Sequence, residues 1–404
     1  MANIAQGVSK VLAYKKQTGL GSAASGSGGQ ELRRTSSTIN LTKEAYQSAE
    51  IRSDAQIADY RHGPRQVTGS IAGEVSPGTY KDLLGSVLRQ DFTAVTSLTG
   101  TALTLVASTG VITFQTGNPL TGGIKVGNVV RLAGAGLNAA NVSKNLLVTA
   151  VTATTLTVAP LNGVALVNES TSVTSVTVSV PGKVSYVPES GQTHDYYTVE
   201  HWFSDISQSE VFSDVNVTNA AVSIPATGLA TVNFPVVGLN ISTGASQILT
   251  TPTAISTSGA VAGANGLLYV NGSAVAVITS IDFDINGNTV AADAVVGSNA
   301  RPDVFQGTVN VTGNMSVYFT DGTFRDYFVD ETEVAVNVVL TTSNSGTADF
   351  ISFQMSRVKV GGADVTDGQN GLTRTFPFVA LKNTAGGALL ANYATTIMVQ
   401  DSAA

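Results

Sequence analysis

Apolar and polar residues alternate along most of this 404-residue chain, the period-two pattern of strands that bury one face. Two stretches interrupt the alternation in the same way. Val67 to Leu84 reads VTGSIAGEVSPGTYKDLL, and Val311 to Phe328 reads VTGNMSVYFTDGTFRDYF. Set together without a gap, at an offset of 244, they share Val, Thr, Gly, Gly, Thr and Asp. Most other pairs are chemically alike, among them Ile71 with Met315, Tyr80 with Phe324 and Lys81 with Arg325. Each copy predicts a strand, a turn carrying Gly78 or Gly322, and a short helix. Ser76 or Thr320 is placed to accept hydrogen bonds from the free helix N–H groups. In the first copy Tyr80, Leu83, Leu84, Val87 and Leu88 make one apolar stripe, with Pro77 suited to the first helical position. Phe324, Tyr327 and Phe328 make a shorter stripe in the second.

The likeness extends both ways. Ile39-Asn40-Leu41 matches Ile281-Asp282-Phe283 at an offset of 242, and Thr231 to Asn240 (TVNFPVVGLN) matches Thr373 to Lys382 (TRTFPFVALK) at 142. The offsets 244 and 142 differ by 102, so the first copy must hold about a hundred residues that the second lacks. The reading is a strand, strand, helix, strand unit that was duplicated and fused, with a further domain inserted into copy one. Between Phe92 and Val184 the chain does change texture, to short runs of apolar residues alternating with Thr or Ser and punctuated by Gly or Asn, the pattern of a small barrel or sandwich. The expected divisions are an N-terminal arm and loop over 1–35, copy one over 36–91 with 186–245, the insert over 92–185, a linker over 246–266, and copy two over 267–404.

Composition sharpens this picture. Charged residues make up 12 % and glycine numbers 41, with Val, Thr, Ser and Ala prominent, which favours strands and turns. A net charge of −7 without a basic cluster argues against dedicated phosphate binding. There is no cysteine, hence no disulfide and no thiol chemistry. No apolar stretch has the length of a membrane span, and residues 1–30 lack a signal-peptide core, so the expectation is a soluble protein made in a cytoplasm. The Gly/Ser run from Gly21 to Gly29, the stretch Ile241 to Gly266 and the loop Gly361 to Gly371 are irregular segments available for contacts.

Candidate chemistry is sparse. His62 lies in a polar turn. His194 and His201 stand near Trp202, yet no third ligand lies at a metal-binding spacing, and alternation turns His201 away from Trp202. Asp282 to Asp293 (DFDINGNTVAAD) fits the opening of a calcium loop, but Ile281, Phe283 and Ile285 read as a strand ending in an Asn286-Gly287 turn, with no flanking helix. No nucleophile elbow, phosphate loop, zinc motif or carboxylate pair occurs. The reading is non-enzymatic, with no catalytic, cofactor-binding or metal residue and no cofactor.

QELRRTSSTINL, the run from Ser48 through VTGSIAGEVSPGTYKDLLGSVL, TVEHWFSDISQSEVFSDVNV, SIDFDINGN and DVFQGTVNVTGNMSVYFTDGTFRDYFVD together resemble the major tail tube proteins of long-tailed, siphovirus-type bacteriophages. The resemblance implies a mainly β fold: two tandem tail-tube β-sandwich domains, each with one short helix and a long hairpin, plus the inserted β domain. It implies a structural virion protein of the tail, self-associating in rings that stack into a conduit for DNA. Tail tip, tape-measure and tail-terminator proteins would be its partners, the DNA would pass without specific binding, and no membrane is involved. Two copies in one chain predict a trimeric ring with pseudo-sixfold symmetry, a hexamer being second. The alternatives are a virion decoration protein or a cell-surface adhesin with a carbohydrate-binding insert, although Phe92 and Phe114 are the insert's only aromatic residues.

Overall fold

A computed structural model describes residues 4–365 and 371–404. The expected contact loop Gly361 to Gly371 therefore falls in large part on 366–370, outside the described residues. The protein is mainly β, with two α-helices among the described residues, a closed six-stranded barrel and an extensive antiparallel sheet.

Seven strands form a continuous wall. Their order is Asn40–Gln47, Tyr60–Glu74, Thr231–Gly238, Asn219–Pro225, Ile278–Asn286, Asn310–Tyr318 and Thr373–Ala380, each antiparallel to its neighbours. The short strand Asp364–Val365 pairs beyond the last of them. The repeated segments occupy equivalent places in identical register. Val67 pairs with Gly238 and Glu74 with Thr231; in the second copy Val311 pairs with Ala380 and Tyr318 with Thr373. Those pairs coincide under the offsets 244 and 142.

One sequence match requires correction. Asn40 pairs with Thr68 and Leu41 with Val67, whereas Thr312 and Val311 take Asp284 and Ile285 as partners. The first strand thus repeats at 244, and the match at 242 had slipped by two residues. A two-residue slip leaves every side chain on its own face, so alternation could not reveal it. The shared glycines have a steric cause. A Cβ on Gly69 would stand 2.5 Å from Ile39 Cα, and one on Gly313 would stand 2.3 Å from the carbonyl oxygen of Asp282, so no side chain fits where the two strands approach.

Two backing sheets complete the sandwiches. Lys10–Lys16, Tyr197–Phe203, Gln208–Val217 and Asn240–Gly244 form one. Gly266–Val270, Val334–Thr341, Phe350–Val360 and Met398–Asp401 form the other, in the same order. Gln208–Val217 and Phe350–Val360 each run on to pair with a wall strand, folding sheet over sheet at a corner. One apolar core, including Ile71, Phe212, Phe234, Phe283, Met315 and Phe353, runs through both halves.

The first helix, α1 (Lys81–Leu88), buries Leu83, Leu84, Val87 and Leu88 as its stripe requires. It begins after Tyr80, so Pro77 sits in the preceding turn and not at the first helical position. Neither helix has the expected Ser or Thr side-chain cap. The Ser76 hydroxyl instead meets that of Thr79 at 2.6 Å, and the Gly78 N–H donates to both oxygens of Asp401, at 2.9 and 2.7 Å. The second helix, α2 (Thr323–Val329), has no buried residue.

Strands Leu98–Val106, Val111–Thr116, Val129–Ala133, Leu146–Val151, Thr155–Pro160 and Glu169–Ser179 close the barrel around Leu103, Ile112, Leu132, Val148, Leu156 and Val178. Its neck is a pair of backbone hydrogen bonds between Thr93 and Val184, at 2.8 and 2.9 Å. The barrel's stem lies in the first half, but its packing surface belongs to the second. Val129, Leu147 and Leu161 pack on Tyr269, Val339 and Phe350, and Gln400 bonds both backbone groups of Val129, at 2.8 and 3.0 Å. The buried ammonium of Lys125 donates to the carbonyls of Gly387, Ala388 and Leu390, at 2.9, 2.6 and 2.6 Å.

Two irregular segments are also tied to their own chain. Gly21 N–H bonds Asp214 at 2.7 Å and Ala24 N–H bonds Thr198 at 2.7 Å. The carboxylate of fully buried Glu200 accepts the Ile248 and Leu249 N–H groups, at 2.7 Å each. These stretches, expected as contact elements, already have partners at home.

Candidate functional site: an open-edged wall

The wall separates its residues strictly by face. Toward the core point Ile39, Val67, Ile71, Val232, Phe234, Ala220, Val222, Ile281, Phe283, Val311, Met315, Phe376 and Phe378, all buried. The opposite face carries Asn40, Thr68, Ser70, Asn233, Ala221, Ser223, Asp282, Asp284, Thr312, Asn314, Thr375 and Pro377, which are exposed or half-buried. Strand pleating alone produces this division. Across the paired wall positions from 66 to 74, 219 to 223, 231 to 235, 282 to 286, 310 to 318 and 375 to 379, the outer face holds Glu74, Asp282 and Asp284 and no Lys or Arg. Over that part of the wall, carboxylates without a fixed cation repel phosphate and offer it no ion pair.

Two of these acids, Asp282 and Asp284, stand at the joint between the halves. Ser223 Oγ donates to Asp282 at 2.5 Å, and Asn219 Nδ2 donates to Asp284 at 3.3 Å. Both aspartates belong to the suspected calcium loop. Their strand runs on to Asn286, where an Asn288 N–H donates to the Asn286 side chain at 2.8 Å, and no group of three or more potential ligands converges among the described residues. The strand reading of Ile281, Phe283 and Ile285 therefore accounts for the segment.

The histidines fall apart in space in the same way. His62 is exposed beside Tyr60, with ring centroids 5.3 Å apart, and His194 stacks on Tyr196 at 4.5 Å. His201 is buried, its Nε2 lies 2.9 Å from Ser37 Oγ, and burial with the nearby charges of Lys10 and Arg34 lowers its pKa to about 3. It is a neutral core residue at ordinary pH. Asp401 shows the opposite displacement. Burial raises its carboxyl to about 6 against the opposing effect of the Gly78 and Ala403 N–H donors.

Both ends of the wall lack a partner strand among the described residues. Ser36–Ser37 and Asn40–Gln47 pair on one side with Tyr60–Glu74, and Asp364–Val365 pairs on one side with Thr373–Ala380. Open edges expose rows of backbone donors and acceptors that another chain can take up. A scan of known protein families matches residues 7–380 to the phage tail tube proteins. The chain belongs to that family. It is a structural component of a phage tail, and the family's members assemble into a tube. The decoration and adhesin alternatives are not favoured by this match. A search of the curated proteins found no match. No helix among the described residues is long and apolar enough to cross a membrane.

Sequence reasoning missed the strand Asn219–Pro225, whose other edge joins the two halves through Ile278–Asn286. Its signal was present in the alternation of Ala220, Val222 and Ile224 with Ala221 and Ser223, but nothing local names the partner of such a strand.

Proposed function

We propose that three chains close edge to edge into a ring whose inner wall is the acidic face, and that stacked rings form a conduit for DNA. In this reading copy one (36–91 with 186–245) and copy two (267–404) are tandem tube domains, 92–185 is an insert, and three chains supply six similar units. The carrying observation is the joint inside the chain, where Asn219–Pro225 of one half pairs with Ile278–Asn286 of the other. The open edges are the repeats of those two strands. Subtracting the offset of 244 turns 280–286 into 36–42. Val365 pairs with Arg374 as Val222 pairs with Val232, so Ala363 answers to Ala220. Within the chain Ala220 opposes Ile285. Between chains Ala363 would therefore oppose Leu41.

A heterologous contact of this kind closes into a ring when its rotation permits. The acidic lining supports passage of DNA without specific binding, and the tail tip, tape-measure and tail-terminator proteins would meet the ends of the stack. The test uses the absence of cysteine from the chain. Leu41→Cys and Ala363→Cys in one chain bring sulfurs within bridging distance across an antiparallel pair. Oxidation of assembled protein is expected to give a covalent ladder ending at three chains. A ladder ending at six would favour the hexamer, and assembled tubes without any cross-link would refute the edge pairing.

A further inference from the structure

The two helices are sequence repeats in unlike surroundings. α1 packs against Asn219–Pro225 and Ile278–Asn286, the two strands of the internal joint, as well as against Gln208–Val217 and the short strand Lys183–Tyr186. α2 packs against Phe350–Val360, the repeat of Gln208–Val217. Leu84 of α1 is 3 % exposed, whereas its repeat Phe328 is 47 % exposed and the adjacent Val329 is 65 % exposed. The patch adjoins the open edge, since the Phe328 ring lies 3.4 Å from where a Gly362 Cβ would stand, two residues before Asp364.

We infer that the bare apolar face of α2 is a docking surface for a second copy of this chain, covered by that copy's Ser36–Thr42 edge as α1 is covered by Ile278–Asn286. This rests on the edge-to-edge ring reading and adds a second contact layer beneath the strand pairing. The occupant follows from the repeat: of the strands packed on α1, Ile278–Asn286 belongs to the following unit, and for α2 the following unit lies in the next chain. Burying exposed aromatic and aliphatic side chains there supplies the non-directional attraction that backbone pairing at an edge lacks.

The test is Phe328→Glu combined with Val329→Glu, with Val329→Glu alone and Phe328→Leu as companions. Both glutamates fall on exposed positions, so monomer circular dichroism and melting should match the parent. By sedimentation, the double variant should need at least tenfold more protein to form rings, and Phe328→Leu should assemble like the parent. Should the double variant not fold, Val329→Glu alone decides, and is expected to weaken assembly in the same sense. Folded glutamate variants that assemble at the parent's concentration would overturn the inference while leaving the ring intact. A parent protein that forms no rings would instead overturn the ring reading itself.

Discussion

The two halves of the molecule carry the same wall register and the same order of backing strands, yet they solve the covering of their helices differently. In the first half α1 lies beneath the internal joint, and the preceding turn is held by Asp401 from the second half. In the second half α2 stays at the surface. Two departures from the repeat, the inserted barrel and the loop around Gly387 to Leu390, turn out to be partners, because Lys125 of the barrel holds that loop. The two halves thus share a frame of paired strands, and the elements that differ between them are fastened to one another across it. A helix that is buried in one copy and bare in the other marks where the chain expects company.

The largest contrast should come from the paired positions Leu84 and Phe328. Leu84→Ala removes a buried side chain and is expected to cost about 2–5 kcal/mol of monomer stability in urea unfolding. Phe328→Ala, at the repeat of that position, should stay within about 1 kcal/mol, because the ring is half exposed in the monomer. Equal losses at both sites would erase the distinction between the helices.

Asp401→Asn tests the latch from the second half to the first. The folded-state pKa near 6 lies above the usual 3.8, so the folded protein holds this proton more firmly than the unfolded chain. The associated stability is complete below about pH 4 and is lost as pH rises through about 6. That amounts to roughly 3 kcal/mol at most. The asparagine variant should lose this component of the pH dependence, measured by unfolding between pH 4 and 7, and an unchanged profile would assign the dependence to other groups.

A smaller effect is expected for Lys125→Met, which strands three carbonyls of the gripping loop without their donor. About 1–3 kcal/mol follows from an unsatisfied buried group, read as faster amide exchange around Gly387 to Leu390. Exchange confined to the barrel interior would show that the grip lies elsewhere.

Much of this arrangement was legible in the chain. Alternation located most of the wall strands, and the offsets 244 and 142 match the observed strand register, because core-facing positions such as Ile71 and Met315 must keep their period. What escaped were choices of partner. Asn219–Pro225 alternates like any strand, and its joining of the halves depends on which edge reaches it. The Asp401 latch on Gly78 lies 323 residues away in sequence, beyond any local signal. Helix capping was misplaced because Ser76 and Thr79 satisfy one another at short range, while the distant Asp401 carboxylate holds the N–H of Gly78 in the turn ahead of the helix.

That separation also has a cost in chain entropy when the chain folds. Contacts close in sequence form before those that must first confine a long loop. Ala220 can find Ile285 while the first and second halves are still otherwise independent, so the wall's inner joint can set early. Gly78 and Asp401 meet only after everything between them, barrel included, has been gathered in. Until then α1 lacks its clasp and the barrel its seat, and the nascent protein holds a wall before it holds a back. The clasp on α1 therefore carries the larger cost in chain entropy, and the open edges are available for pairing before it is in place.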